Sequence, residues 1–320
     1  MGGPGIDEVS NPQLVDVAEP LQRECIEKAA LQRIEFNEPM YGVKYLLHGA
    51  YDKVWHINWQ NVKIDGMKPL PITCVVLTKN SATTLEKTLE SLARFDEVIV
   101  CDTGSTDGTL DIANRYRNVK VIEGSLNEGF GKVRIFASQK AKWEWILSID
   151  SDEALSQGLI DEIETLELDP SRVYSIPFRN WYRGQPIKGC GWSPDRHVRL
   201  YHKISTNFSE SAVHEAIQTE NLTITPLSHP IDHESYRSLS DFLVKMERYS
   251  NLFATQNRGK KSSLKKALCH GIFAFFKSYI LKRGLFDGRA GLIISLYNGH
   301  TAYYKYAKLA EINAHHPSLS

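Results

Sequence analysis

The segment ITCVVLTKNSATTLEKTLESLARFDEVIVCDTGSTDGT, residues 72–109, decides the fold class. Its first seven residues, 72–78, are apolar and β-branched, which is typical of a strand buried on both faces. An amphipathic helical pattern follows, and a second apolar run at 97–102 ends in Asp102 and a turn rich in Gly and Ser. We therefore predict a strand–helix–strand unit, the building block of a mostly parallel α/β sheet.

The same alternation continues downstream, with strands predicted at 119–124 and 143–150 and a helix between them at 131–142. The predicted strands end in polar sequence, TKN, CDTGS and DSDE. Because ligands of such sheets bind beyond the carboxyl ends of the strands, these three ends predict a ligand site. After residue 170 the sequence becomes rich in strand, loop and aromatic residues.

The bulk composition indicates a folded protein in a reducing compartment. Of 320 residues, 42% are hydrophobic and 24% charged, which argues against wholesale disorder. Five scattered cysteines without a CxxC pair argue against a disulfide framework and a structural zinc site. The N-terminus lacks the pattern of a secretory signal, and no run of 18 apolar residues predicts a transmembrane helix.

The C-terminal third is basic although the chain has a net charge of zero. Residues 237–310 carry 14 Lys or Arg against three acidic residues. Within them, KKSSLKKALCHGIFAFFKSYILKRG (260–284) has basic flanks around an apolar centre, the composition of a helix lying in a membrane interface. The alternative is an ordinary helix that faces the core and has solvated lysines.

Three acids stand at the end of the fourth predicted strand, in WILSIDSDEAL (145–155): Asp150, Asp152 and Glu153. Carboxylates held close together repel unless something neutralises them. A divalent cation does so, and oxygen ligands suit Mg²⁺ or Mn²⁺. The alternative is a solvated loop that caps the next helix, with Ser156 or Asp152 as the N-cap. No GxGxxG or P-loop fingerprint supports a dinucleotide or P-loop site.

The motifs VVLTKNSATTLEKTLESL, VIVCDTGSTDGT, GFGKVRIFASQKA and WILSIDSDE, in this order, resemble the nucleotide-sugar-binding half of family 2 glycosyltransferases, which have the GT-A fold. RNWYRGQPIKGCGWSPDRHVRLYHK, VHEAI and HESYRSLSDFLVKMERYS resemble a narrower branch, the bacterial lipopolysaccharide inner-core β-1,4-glucosyltransferases, which add glucose to a heptose. The resemblance covers residues 72–310. One departure is Arg134–Ile135, where relatives tend to have Arg-Asn.

The resemblance implies domains and a reaction. Residues 71–235 form the GT-A catalytic domain, with 72–155 as the nucleotide-sugar half and 170–235 as the acceptor half. Residues 1–70 are an extension of unknown role, and 236–320 a helical basic region that associates with a membrane surface. The reaction is inverting transfer of a hexose, expected to be glucose, from a UDP-sugar to a heptose-containing lipopolysaccharide core. The enzyme then lies on the inner face of the cytoplasmic membrane and binds no nucleic acid.

The resemblance also implies site residues. Asp152 is the expected metal ligand, Asp150 contacts the metal or the ribose, and Glu153 orients them or touches the sugar. His214 is the expected third ligand, with His233 as a weaker alternative. The expected nucleotide-sugar contacts are Thr78, Asn80, Asp102, Gly104, Ser105, Lys132, Arg134 and Asp150. For Lys132 and Arg134 two roles remain open, neutralising the diphosphate or holding the loop.

The expected catalytic base is a carboxylate on the acceptor side. Asp195 is the first candidate and Glu215 the second, although Asp195 can equally be a loop residue paired with Arg196 or Arg199. Three aromatic residues can stack on sugar faces or belong to the core. These are Trp181, Tyr182 and Trp192.

Rival functions remain. A metal-dependent nucleotidyltransferase also uses an α/β sheet and paired acids, but it carries an early loop rich in Gly and basic residues, where this chain reads TKNSATTLEK. A module that binds a membrane or nucleic acid through 237–310 without catalysis has no need of DSDE and CDTGS together. Within the enzyme class, the strongest rival is a glycosyltransferase that acts on another acceptor, such as a capsule lipid or a protein.

Overall fold

The structure, a computed structural model, describes residues 68–209 and 215–315 of the chain. Nearly all of the predicted N-terminal extension, residues 1–70, lies outside these ranges, and so does His214. The described residues begin with the α/β alternation that the sequence predicts.

The first half of the sheet is parallel, with the strand order β3-β2-β1-β4. Helices follow the first three strands, as the amphipathic patterns predict. The strands are β1 (Leu70–Thr78), β2 (Phe95–Asp102), β3 (Val119–Glu123) and β4 (Trp145–Asp150), and the helices are α1 (Leu85–Ser91), α2 (Thr109–Ala113) and α3 (Phe130–Gln139).

The second half continues the sheet as β4-β8-β6-β10-β5, with β7 and β9 also paired to the long strand β6. Antiparallel pairs join β8 to both β4 and β6, and β10 to β5, whereas β6 and β10 are parallel. The elements are β5 (Glu153–Leu155), α4 (Gln157–Glu164), β6 (Arg172–Tyr182), β7 (Gln185–Pro186), β8 (Arg196–His202), β9 (Thr223–Pro226) and β10 (Ile231–Tyr236).

The sheet has a hydrophobic core on each face. Along β1, Cys74 and Val76 belong to one core and Val75 and Leu77 to the other, because successive side chains of a strand point to opposite faces. This explains why β1 reads as a continuous apolar run. The predicted α/β fold with a mostly parallel sheet is confirmed.

The C-terminal helical region, residues 239–315, is also present as predicted. It consists of α5 (Leu239–Gln256), α6 (Leu264–Phe276), a π-helical turn (Lys277–Leu281), a 3₁₀ turn (Gly284–Asp287) and α7 (Gly288–His315). A stack of aromatic rings joins it to the sheet, because Tyr236 of β10 packs on Phe242 of α5 with ring centroids 4.3 Å apart. Within the described part of the chain, no helix is long and apolar enough to cross a membrane.

Candidate active site

The polar strand ends meet at one edge of the sheet, which we call the strand-end edge: Thr78, Asp102 and Asp150. The strand register pairs Thr78 of β1 with Asp102 of β2, and Leu77 of β1 with Asp150 of β4. The hydroxyl of Thr78 is buried there and has no hydrogen-bond partner among the described residues. The structure thus brings together residues that stand far apart in the sequence.

The turn after β2 is built around the buried carboxylate of Asp102. One oxygen accepts the N–H groups of Gly104 and Ser105 at 3.1 and 2.9 Å, and the other accepts the Ser105 hydroxyl. Asn80, in a left-handed conformation (φ 52°), links this turn to the β1–α1 loop. Its N–H donates to the Ser105 Oγ at 2.8 Å, and its side-chain oxygen accepts from the N–H of Thr106 at 2.8 Å. Asp102 therefore orders the two loops that a ligand at this edge would meet.

Two arginines neutralise two of the three acids. Arg134 of α3 binds one oxygen of Asp150, and the Arg199 Nη2 of β8 lies 3.3 Å from the other. The same Nη2 lies 2.6 Å from Glu153 Oε1. Burial favours a raised pKa for Asp150, but the two guanidinium groups outweigh it and hold that pKa well below the usual range. The cluster is thus neutralised largely from within the protein.

Glu153 is enclosed, with 1% of its side chain exposed. Its Oε2 accepts the N–H of Asp150 at 2.8 Å, which holds the turn between β4 and β5. Burial raises the pKa of Glu153 to about 7, against the pull of Arg199 and with a further rise from Asp150. Of the two roles expected for Glu153, this burial favours orienting its neighbours over touching the sugar.

Asp152 differs from the other two acids because it makes no ion pair with an arginine of the described residues. Its side chain is 34% exposed, and its Oδ2 lies 3.6 Å from His233 Nε2. It lines a small pocket together with Thr83, Lys87 and Glu234. Of the two residues that the alternative offered as the N-cap of α4, Ser156 is the cap and Asp152 is not.

The buried Asn180 of β6 fixes the orientation of His233. Its amide nitrogen donates to the backbone oxygen of Trp192 at 2.9 Å, so its oxygen is the atom that faces His233 Nδ1, 3.0 Å away. The Nδ1 must then carry a proton and donate it to Asn180. The other ring nitrogen, Nε2, faces Asp152, and its lone pair is available to a metal when the ring is neutral.

These residues fit a divalent cation that shares its shell with a ligand. In 68–209 and 215–315, no group of three or more His, Cys, Asp or Glu stands ready to hold a metal. Asp152 and His233 could supply two ligands, and Mg²⁺ is commonly bound by one or two carboxylates plus substrate phosphates and water. His214, the expected third ligand, lies outside the described residues. His233, the weaker alternative in the sequence, is the histidine that lies beside Asp152 within residues 68–209 and 215–315.

Asp195 is partly exposed and immediately precedes β8. Its Oδ1 lies 2.9 Å from His197 Nε2, and this hydrogen bond is the largest cause of its lowered pKa, with Asn180 and His233 contributing. The expected alternative pairing with Arg196 or Arg199 is wrong. Arg196 donates to the backbone oxygens of Ser175 and Leu227 at 2.6 and 2.8 Å, and Arg199 holds the acids.

Glu215, the second candidate base, lies 3.6 Å from the Arg134 Nε. Arg134 itself is buried, and its Nη1 donates to the Ser148 Oγ at 2.9 Å in addition to its bond with Asp150. Of the two roles expected for Arg134, these contacts favour holding the loop. Lys132, two residues earlier on α3, has an exposed side chain.

The three aromatic residues separate into two groups. Tyr182 is buried in the core between the sheet and the helical region, so the expectation that its ring stacks on an acceptor is wrong. Trp192 stacks on Tyr236, with centroids 5.2 Å apart, and joins the same aromatic packing. Trp181 is partly exposed, and its indole N–H donates to Asp232 at 2.8 Å, which leaves it as the candidate platform for a sugar.

Sequence reasoning missed three residues of this site. Arg199 was considered only as a partner of Asp195, and Asn180 was not considered. Lys245 of α5 was also missed: burial lowers its pKa, whereas the charges of Asp152 and Asp241 oppose that shift. Its ammonium also lies 4.2 Å from the ring centroid of Tyr236. The one available signal was Arg199, a charged residue inside the otherwise apolar stretch VRLY.

Comparisons with known proteins indicate a glycosyltransferase. Residues 73–219 match the family model described as Glycosyl transferase family 2. An uncharacterized glycosyltransferase of Rickettsia bellii is 29% identical over 76% of this chain and 87% of its own length. The lipopolysaccharide core biosynthesis glycosyltransferase LpsC of Rhizobium meliloti is 26% identical over 77% of this chain and 94% of its own.

A solved structure, Staphylococcus aureus TarS 1–349 in complex with UDP-GlcNAc, overlays with a TM-score of 0.39 and 16% identity, covering 76% of this chain and 90% of that one. So low a score carries no argument, and the assignment rests on the family match and on the sheet and its strand-end edge. Residues 73–219, which include the strand-end edge, thus match the family 2 glycosyltransferases, and the chain is a glycosyl-transferring enzyme.

Proposed function

We propose that this enzyme transfers a hexose, glucose first among the candidates, from a UDP-sugar to a heptose-containing lipopolysaccharide core with inversion at the anomeric carbon. The observation that carries the proposal is that three adjacent acids have different partners. Arginines hold Asp150 and Glu153, whereas Asp152 faces His233 and the pocket without an arginine partner. A site of this kind is prepared for a cation and a diphosphate.

The donor nucleotide lies over the strand-end edge in this proposal. The loops joined by Asn80, Asp102 and Ser105 receive the nucleoside, and the buried hydroxyl of Thr78 contributes a further polar group beneath it. Backbone groups around Gly104 contact the ligand without a side chain in the way. Because these loops are already hydrogen-bonded to each other, donor binding loses little conformational entropy.

Asp152 and His233 would hold the divalent cation, Mg²⁺ or Mn²⁺, in this proposal, and Asp150 is expected to contact the cation or the ribose. When bound, the cation offsets the charge that develops on the departing diphosphate. Lys245 supplies a second positive charge on the Asp152 side of the cleft, and the exposed Lys132 remains a candidate for the same role. Asn180 keeps Nε2 of His233 directed at Asp152 throughout.

Asp195 is the base of the proposed reaction. Its lowered pKa keeps it ionised at neutral pH, ready to accept a proton from an acceptor hydroxyl. The hydroxyl oxygen forms a bond to the anomeric carbon, the bond from that carbon to the diphosphate oxygen breaks, and UDP leaves with the electron pair. Glu215 is the weaker candidate because Arg134 engages it on the nucleotide side.

The acceptor of the proposed reaction is a core saccharide. The relative in Rhizobium meliloti is named for lipopolysaccharide core biosynthesis, which supports a core saccharide, and the partly exposed Trp181 offers it an apolar face. A lipid-linked acceptor implies peripheral attachment at the cytoplasmic face of the inner membrane. The alternative within the family is a capsule lipid or a protein acceptor.

Donor hydrolysis tests the proposal. UDP-glucose, UDP-galactose, UDP-GlcNAc and GDP-mannose are compared with Mn²⁺, with Mg²⁺ and with EDTA. We expect one UDP-sugar to be preferred, the activity to vanish with EDTA, and Asp152→Asn to lower it by at least about a hundredfold. The matched control is Asp161→Asn, an exposed aspartate on α4, which should behave as wild type.

Two results would reject this function. Equal hydrolysis with and without EDTA would remove the metal from the mechanism, and preference for a nucleoside triphosphate with pyrophosphate release would indicate the nucleotidyltransferase alternative. With the donor known, purified lipopolysaccharide cores lacking glucose serve as acceptors. Mass spectrometry should then find one added hexose.

A further inference from the structure

The outer face of α6 carries a continuous apolar row that the protein does not cover within its described residues. The row has an apolar residue at every fourth position through α6 and the π-helical turn, and each member is between 48% and 65% exposed. Residues four apart are neighbours on a helix, offset by about 40°, so the row forms a continuous, gently winding apolar strip. Its members are Leu264, Leu268, Ile272, Phe276 and Ile280.

A neighbouring face of α6 packs against α7, and this contact keeps the apolar row exposed. Ala267 and Gly271 are buried in this contact. A Cβ at Gly271 would lie 3.1 Å from the backbone oxygen of Gly299 and 3.0 Å from the Cβ of Tyr303, so the two helices approach closely there. Rotation of α6 to bury the row is therefore obstructed by close helix packing.

The charge around the apolar row has one sign. Between Glu247 and Asp287 the chain has nine Lys or Arg and no acidic residue. Six of the nine stand in the chain within or just beside residues 264–280 and have exposed side chains. They are Lys261, Lys265, Lys266, Lys277, Lys282 and Arg283.

The apolar row and the basic charges together indicate which kind of partner binds this face. A second copy of this face would bring two strongly basic surfaces together, which like-charge repulsion opposes. A nucleic acid would satisfy the charges but leave the apolar row in water. An anionic lipid surface satisfies both, because acyl chains cover apolar side chains while headgroups pair with lysine and arginine.

We infer that the outer face of α6 and its π-helical turn is a membrane-insertion surface, which lies in the plane of an anionic bilayer with its apolar row among the acyl chains. Leu281 and Phe286, which follow the row in the chain, are both more than 70% exposed. The inference takes from the proposed function only the idea of a lipid-linked acceptor. Attachment through buried apolar area differs from a purely electrostatic contact, because high salt weakens it only in part.

Cys269 provides a probe inside this surface. It is exposed on α6 next to Leu268, whereas the other described cysteines are buried. In the full-length protein with Cys25→Ser, a thiol-reactive fluorophore sensitive to its environment is attached at Cys269. With phosphatidylglycerol vesicles we expect a blue shift and quenching by brominated acyl chains, and a much smaller response with phosphatidylcholine vesicles.

A triple variant distinguishes insertion of apolar side chains into the bilayer from electrostatic attraction to its headgroups. Leu268→Ser, Ile272→Ser and Phe276→Ser together should lower vesicle partitioning at least about a hundredfold in both low and high salt, since each removes a large apolar group from the lipid. The matched control is Ile204→Ser with Ile224→Ser, two exposed isoleucines of the catalytic domain, which should bind as wild type. Donor hydrolysis without vesicles should be unchanged in both variants, which shows that they are folded.

Three outcomes would overturn the inference. These are no blue shift with anionic vesicles, undiminished vesicle binding of the triple variant, and a stable lipid-free oligomer that shields the Cys269 probe and dissociates in the triple variant. Because vesicle binding is measured without donor or acceptor, its failure is distinct from a failure of the proposed transferase reaction. The donor assay in turn requires no membrane.

Discussion

The strand-end edge and the outer face of α6 differ in whether their energetically unfavourable groups have partners within the protein. At the edge, the buried carboxylates of Asp150 and Glu153 already have guanidinium partners from α3 and β8. On α6, the apolar row has no partner among the described residues. The first region is ordered before its ligand arrives, whereas the second gains its stabilisation only from a partner.

The contrast extends to Asp152, which stands within the edge yet has no arginine partner. Neutralising all three acids internally would leave nothing for a cation to bind, and neutralising none would leave buried charges that repel one another. Two paired acids and one available acid combine a rigid frame with one reactive position. In both regions the proposed functional surface is the part that the described residues leave without an arginine partner or an apolar cover.

The largest expected effect comes from removing a partner at the edge. Arg199→Met leaves Glu153 buried without its cation, and we expect it to lower the free energy of unfolding by about 3–5 kcal/mol. Burial already raises the pKa of Glu153 to about 7, and losing Arg199 raises it further. Because the native state then holds a proton that the unfolded state releases, stability should fall as pH rises from mildly acid values through neutrality.

Urea denaturation across this pH range measures the effect of Arg199→Met. The control is Arg172→Met, whose ion pair with Asp169 is exposed and whose loss should not be measurable. Equal stability of Arg199→Met and Arg172→Met at neutral pH would show that the edge is not held by its arginines.

The next effect concerns the proposed base. Asp195→Asn should lower kcat by about 10²- to 10³-fold with little change in donor KM, because the amide cannot accept the proton. Glu215→Gln should have a smaller effect. His197→Ala removes the hydrogen bond that contributes most to the lowered pKa of Asp195, so the acid limb of the pH–rate profile should move to higher pH. A larger loss of kcat in Glu215→Gln than in Asp195→Asn would identify Glu215, and not Asp195, as the base.

A smaller effect is expected from the orientation of His233. Asn180→Ala should weaken Mn²⁺ binding about 10- to 100-fold, because Nδ1 of His233 loses its acceptor. Asn180→Asp keeps an oxygen at that position and should bind Mn²⁺ more tightly than Asn180→Ala. Calorimetric titration of the two variants distinguishes positioning from packing, since equal weakening in both would indicate packing alone.

The smallest expected effect concerns the basic charge on the outer face of α6. Lys265→Gln on α6 should lower partitioning to phosphatidylglycerol vesicles by about fivefold at low salt and hardly at all at high salt, because one lysine near an anionic surface contributes about 1 kcal/mol. Lys120→Gln, an exposed lysine of β3, serves as the control. A salt-independent loss would mean that Lys265 acts through packing rather than charge.

The parallel half of the fold was predictable because its signals are local. Apolar runs near 72–78 and 97–102, separated by a helical pattern, specify the strands and hence the edge where Asp102 and Asp150 meet. The strand β5, three residues long, was not predicted, since so short an element has no periodicity to read. The helical character and basic charge of the C-terminal region were also readable from sequence.

The partners of the acids were not predictable, because they depend on tertiary pairing. Arg134 stands 16 positions before Asp150 in the sequence and Arg199 stands 49 after it, and nothing local links them. Asn180 and His233 meet only because β6 and β10 pair in that register. The core position of Tyr182 likewise depends on how α5 and α7 pack against the sheet.

Mn²⁺ binding in the presence of UDP, followed by electron paramagnetic resonance, tests the central claim most directly. Wild type is compared with Asp152→Asn and with the exposed control Asp161→Asn. The account predicts tight binding by wild type and control, and at least about a hundredfold weaker binding by Asp152→Asn. Undiminished Mn²⁺ binding by Asp152→Asn would contradict it, because the acid left without an arginine would then not be the one that holds the metal.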